Sequence, residues 1–333
     1  MPSASSSPAP SSPASSRVPA VLQRFGAWLP SQVDRRVRVF AWLSFVAEVL
    51  IIGTGGAVRL TGSGLGCPTW PRCTADSLVN TPEMGIHGII EFGNRTLTGL
   101  VGILALAVVV LVWRMRHERR VLSVLSLVVL GGIVAQALVG GITVLTGLNP
   151  FIVGFHYVAS VVLVAVCAAF LVRMYEPAGP RSLAAPRWFA GLVHATTGLL
   201  ALTIVFGVLT TGAGPHSGDA GAGRNGFDAE VLEHVHSWPG YALFALTLVV
   251  VVAAWRLRLP VRRWASALLV VELVQIAVGL YQARNGLPEF AVGTHMVLAA
   301  LAAATMTVVV LRLKRPITVE RQDDARETVA ARR

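Results

Sequence analysis

The sequence predicts an all-α, polytopic membrane protein whose eight transmembrane helices form two pseudo-symmetric four-helix bundles. Three observations predict it. Of 333 residues, 54% are apolar and only 14% charged, and the mean hydropathy is +0.66, a composition that does not suit a water-exposed surface. Apolar runs of about 20 residues, enough to cross roughly 30 Å of hydrocarbon as a helix, recur along most of the chain. Residues 39–175 also resemble residues 188–315 in the order and spacing of their polar landmarks. A soluble enzyme is excluded. The net charge of +11 does not imply a nucleic-acid partner, because the basic residues fall in short clusters between apolar runs.

The spans are expected near 39–58, 92–113, 121–145, 152–172, 188–211, 236–255, 264–282 and 291–312. Their even number places both termini on one side. Arg35, Arg36 and Arg38, Arg114 to Arg120, Arg173, Arg181 and Arg187, Arg256 to Arg263, and Arg312 to Arg315 all flank that side, which by the positive-inside rule is cytoplasmic, so the chain is expected in the cell membrane. Residues 1–33, rich in Ser, Pro and Ala, read as a disordered cytoplasmic tail, and 316–333 as a second tail. Between them lie an N-terminal half, 34–180, and a C-terminal half, 181–315.

The repeat aligns chemistry. Glu91 and Trp113 are separated by the same interval as Glu233 and Trp255, and Gln136, Gly147 and His156 recur in register as Gln275, Gly286 and His295. Four spans per half make these parallel repeats about an axis along the membrane normal. Ionisable residues inside a bilayer are costly and mark function by default. His156, His236 and His295 each lie about five residues, or roughly 7 Å, inside the outer ends of their spans. His236 and His295 face each other across one half, which suits bis-imidazole ligation of a haem iron. For any one histidine alone, helix packing is the simpler explanation; repeat equivalence and matched depth favour ligation. His156 has the equivalent position in the first half, but the residue matching His236 is Asn94. Glu91 lies one turn outward from Asn94 on the same helical face, where a carboxylate can orient a ligand or move protons. His87 would share that face if the helix reached it, and otherwise is a surface residue.

Cys67 and Cys73 lie in an outer loop, where disulfides persist, so a local disulfide is expected, with a metal site as the rival. Cys167 lies inside the fourth span and is expected to pack.

These residues resemble the haem A synthase family. The resemblance covers roughly 39–315 and rests on the run Gly55 to Gly64, the Cys67/Cys73 loop, Glu91-Phe92-Gly93-Asn94-Arg95 and the three intramembrane histidines. It implies a haem b cofactor bound by His236 and His295 in the second half, and haem O as substrate in the first, with His156 as its ligand. It further implies oxidation of a porphyrin methyl to a formyl group by successive hydroxylations with water as oxygen source, for cytochrome oxidase biogenesis. Glu91 matches the family's catalytic carboxylate, and Cys67 and Cys73 its paired cysteines. Asn94 departs from the histidine that many members carry there. Arg59 and Arg95 flank the expected substrate pocket and suit propionate carboxylates. Haem O synthase is the implied supplier of substrate; the electron acceptor and any homo-oligomer are left open, and membrane lipid is the remaining partner. The alternatives are a di-haem b-type electron carrier, which would need two complete histidine pairs, and a non-enzymatic haem-handling protein.

Overall fold

The computed structural model describes residue 24 and residues 26–317. Eight helices follow one another: α1 Arg35–Leu60, α2 Gly85–Val112, α3 Arg120–Leu145, α4 Pro150–Met174, α5 Arg187–Ala213, α6 Ala229–Arg256, α7 Arg262–Arg284 and α8 Glu289–Arg312. Each is long and apolar enough to cross a membrane, and the chain is a multi-pass membrane protein. At 23 to 28 residues they are about 35 to 42 Å long, beyond the hydrocarbon thickness. Two short strands, β1 Arg181–Leu183 and β2 Lys314–Pro316, pair antiparallel at one end. The helices begin where side chains satisfy their free backbone N–H groups: Asp34 accepts from Val37 N, Asn149 from Phe151 N and Ile152 N, and Asp228 from Val231 N.

Each group of four closes into a ring. In the first, α1 packs on α2, α2 on α3, α3 on α4, and α4 back on α1; α5 to α8 repeat this pattern, and α8 lies along α4 with α1 and α5 flanking the seam. Large apolar side chains such as Ile103, Leu106, Val249 and Val252 point outward, because a lipid-facing surface needs no polar cover. Small residues line the seam. A Cβ on Gly154 would come 2.6 Å from Val208, Gly53 and Gly56 abut Val297 and Met296, and Ala300 is fully buried. Tyr157 Oη donates to the Met296 carbonyl across it at 2.8 Å.

Two helices start earlier than the apolar runs imply. α2 begins at Gly85 and α6 at Ala229, not near 92 and 236, because the stretches that carry His87 and Glu91, and Glu230, Glu233 and His234, are helical although polar residues break their apolar run. Of the expected N-terminal tail, 1–23 and residue 25 lie outside the described residues. Its end is not a free tail: 26–28 are helical, Leu29 is buried, and Arg114 donates to the carbonyls of Gly26 and Leu29. Likewise Pro316, placed in the second tail, pairs with Arg181 in the β ladder; 318–333 lie outside the described residues.

At the end away from the arginines, the loop between α1 and α2 folds over the first ring. Cys67 and Cys73 form a disulfide and both are fully buried. The Trp70 ring lies so close to α3 that a Cβ on Gly141 would clash with it. Gly141→Val should therefore displace Trp70, costing about 1–3 kcal/mol of overpacking. A lowered thermal midpoint and faster reduction of the Cys67–Cys73 bond by an external thiol would show it.

Candidate functional site

The second ring brings His236 and His295 together. Their ring centroids are 6.2 Å apart with an interplanar angle of 74°. Two metal–nitrogen bonds of about 2.0 Å, plus about 1.1 Å from each nitrogen to its ring centre, require about 6.2 Å, so the pair is spaced for one iron between two imidazoles. His236 Nδ1 lies 2.9 Å from the Thr203 carbonyl, an acceptor that fixes the proton on Nδ1 and leaves the Nε2 lone pair for a metal. His295 Nδ1 is buried without a partner among the described residues. The donor set therefore fits a haem iron. Pro239, within α6 and less than a turn beyond His236, cannot donate to the Val235 carbonyl, so the backbone ladder is interrupted beside the ligand.

The same construction holds His156 in the first ring. Gln136 Nε2 donates to the His156 carbonyl at 2.7 Å, as Gln275 Nε2 donates to that of His295 at 3.1 Å. Each imidazole lies against a glycine of the preceding helix: a Cβ on Gly140 would meet His156 Cε1 at 3.4 Å, and one on Gly279 would meet His295 Cε1 at 3.0 Å. Gly207 on α5 serves His236 in the same way, at 2.8 Å. Sequence reading passed over these three glycines, although the spacing that aligned Gln136 with Gln275 also aligns Gly140 with Gly279. The turns beyond them match too: Gly147 and Leu148, like Gly286 and Leu287, all have positive φ.

Asn94 and His156 belong to α2 and α4 of the same ring. Asn94 Oδ1 accepts the Thr54 hydroxyl at 2.8 Å, and its amide nitrogen has no lone pair to offer a metal. His156 Nδ1 is buried and unpartnered among the described residues. His156 is thus a metal-ligand candidate whose repeat-equivalent partner is an amide rather than an imidazole.

Glu91 is buried, and each of its oxygens is engaged. One accepts the Cys67 backbone N–H, the other the Arg95 guanidinium. Arg95 in turn donates to the carbonyls of Cys67, Thr69 and Arg72. The sequence placed Arg95 for a propionate; in the structure its guanidinium ties the disulfide loop to α2 through Glu91. Arg59 is likewise committed, donating to the carbonyls of His216 and Thr211 and joining the two rings. His87 does share the face of Glu91 and Asn94, since α2 reaches it; it is exposed and its Nδ1 meets Ser63 Oγ at 2.9 Å.

Two buried carboxylates were not singled out from sequence. Glu48 on α1 is 2% exposed and Glu272 on α7, which accepts the Thr247 hydroxyl, 4%. Both stand within apolar runs, where an isolated charged residue was the available signal. His234 and Glu233 are exposed, in keeping with a solvated role.

Fold and site together define a multi-pass helical membrane protein with a paired-imidazole centre between the helices of one ring. The profile of the COX15-CtaA family, described as cytochrome oxidase assembly protein, matches residues 38–216. The chain belongs to this family. It is 35% identical over 146 residues to a heme A synthase of Lysinibacillus sphaericus, covering 43% of this chain and 46% of the relative. To the heme A synthase of Alkalihalophilus pseudofirmus it is 25% identical over 182 residues, 54% of this chain and 60% of the relative. The match to that of Halalkalibacterium halodurans is 25% identical over 303 residues, 85% of this chain and 99% of the relative. The chain thus spans about half the length of the first two relatives and nearly all of the third.

Replacing Arg95 tests the loop tie. Arg95→Ala leaves a buried carboxylate without its cation, a loss of about 3–5 kcal/mol. Thiol-dependent reduction of Cys67–Cys73 should accelerate at least about tenfold. Arg95→Lys should fall between, since an ammonium keeps the pairing but lacks the planar fork that reaches several carbonyls at once.

Proposed function

We propose that the chain is a haem A synthase, oxidising the methyl group of haem O to a formyl group by successive hydroxylations with oxygen from water. The observation that carries this reading is the His236–His295 pair, spaced at 6.2 Å for a single iron, in a chain of a family whose similar members are named heme A synthase.

On this reading His236 and His295 hold haem b in the second ring. Bound haem b supplies one-electron acceptance. His236 is kept in one tautomer by Thr203, and Gly207 and Gly279 let the two rings approach their helices closely. His156 would hold the haem O iron in the first ring, where Asn94, its oxygen already hydrogen-bonded, supplies no second imidazole. A single imidazole suits substrate oxidation, where a second would favour plain electron transfer. Glu91 is the proton-handling carboxylate on the same side. Arg95 and the disulfide loop hold it and close that side of the ring. Arg59 acts by keeping the two rings in register, and any propionate contact by it or Arg95 requires exchange of a carbonyl partner. The arginine-rich end is cytoplasmic, and haem O synthase delivers the substrate.

Pigment analysis of purified protein tests the whole reading. Haem b together with haem O or its hydroxylated and formylated derivatives is the expected result; two haem b per chain, or a colourless protein, overturns it. His236→Leu and His295→Met should each abolish or shift the low-spin haem b spectrum. Glu91→Gln should keep haem b and lose product formation. If its disulfide loop also becomes readily reducible, Glu91 acts by positioning; if the loop stays protected, the carboxylate itself handles the proton.

A further inference from the structure

The arginine-rich end carries a charge imbalance that the proposed chemistry does not use. Glu176, just beyond α4 and 7% exposed, receives Arg173 at 2.7 Å, Arg181 at 3.3 Å and Arg312 at 3.7 Å. Arg119, immediately before α3, joins them by donating to the carbonyls of Arg173 at 2.8 Å and Glu176 at 2.9 Å. Three guanidiniums share one carboxylate with a fourth on the carbonyls beside it, and the Nε atoms of Arg181 and Arg312 are buried without a partner among the described residues. Burial, and then the charge of Arg181, push the Arg119 pKa below its ordinary value. The cluster sits where α4 and α8 emerge, with β1 and β2 closing over it. Exposed Tyr175, Leu183 and Trp188 on the adjoining segments offer apolar surface.

We propose that this cluster binds the phosphodiester headgroup of one anionic phospholipid between Arg119, Arg181 and Arg312. Planar guanidiniums match phosphate oxygens two at a time. A basic pocket where helices leave the hydrocarbon meets the headgroup layer, and apolar side chains beside it receive acyl chains, which free phosphate would not need. The lipid would brace the seam between the rings from the end opposite the disulfide loop.

The test is independent of pigment. Full-length protein is delipidated and reconstituted with phosphatidylglycerol or phosphatidylcholine of the same acyl chains, and retained lipid is read by native mass spectrometry. Wild-type protein should retain one phosphatidylglycerol in preference to phosphatidylcholine. Arg119→Gln with Arg181→Gln should cut that preference by at least about tenfold, while Arg263→Gln, at the same end outside the cluster, should not. Equal retention of both lipids by wild-type protein overturns the proposal, as does an undiminished preference in the double variant. A thermal shift produced by inorganic phosphate alone, and not increased by phosphatidylglycerol, overturns the assignment to lipid. The wild-type comparison of the two lipids stands whether or not the double variant folds.

Discussion

A polar group inside hydrocarbon has no water to turn to, and the whole architecture follows from meeting that demand within the chain. Backbone groups meet it by forming eight long helices, interrupted in α6 at Pro239. The demand then falls on the few polar side chains, and several are answered by a partner on a neighbouring helix or loop. Gln136 and Gln275 answer carbonyls beside histidines, Thr54 answers Asn94, and Arg95 answers Glu91 and three loop carbonyls. The exceptions stand out against this background. His156 and His295 each keep a buried ring nitrogen without a partner among the described residues, as Glu48 and Glu272 each keep a carboxylate oxygen.

The two rings share a way of holding histidine and differ in what faces it. In the second, two imidazoles oppose each other and one is locked by a backbone carbonyl. In the first, His156 shares its ring with Asn94, an amide whose acceptor is already taken. On the proposed reading, this difference suits a resident redox group beside a changing substrate. The disulfide loop adds a second difference: it packs Trp70 onto Gly141 and ties itself to Glu91, both in the first ring.

Most of the fold was legible because lipid imposes a simple code. Run length gave the spans, and the spacing of Gln136, His156, Gln275 and His295 gave the equivalence of the halves. Hydropathy failed over the opening residues of α2 and α6, where His87, Glu91, Glu230, Glu233 and His234 interrupt the apolar run just before Asn94 and His236. The histidines and Glu91 were readable as costly residues in an apolar setting. The commitments of Arg59 and Arg95 were not, since a guanidinium's choice between a propionate and a backbone carbonyl depends on loops that approach it from elsewhere in the chain. Glu176 was hidden for a related reason: arginines at span ends read as topology, and only folding gathers them around one carboxylate.

The glycines beneath the imidazoles bear on any effort to refit this scaffold for another pigment. Gly140, Gly207 and Gly279 act as a mould, leaving the ring above each of them no room to retreat toward its neighbouring helix. A designer who adds even a methyl group at Gly207 or Gly279 would press on the imidazole above it, while Gly140 leaves His156 an ordinary contact. Redesign would do better to keep these three hollows fixed and vary the outward-facing wall, where lipid yields to whatever shape is presented.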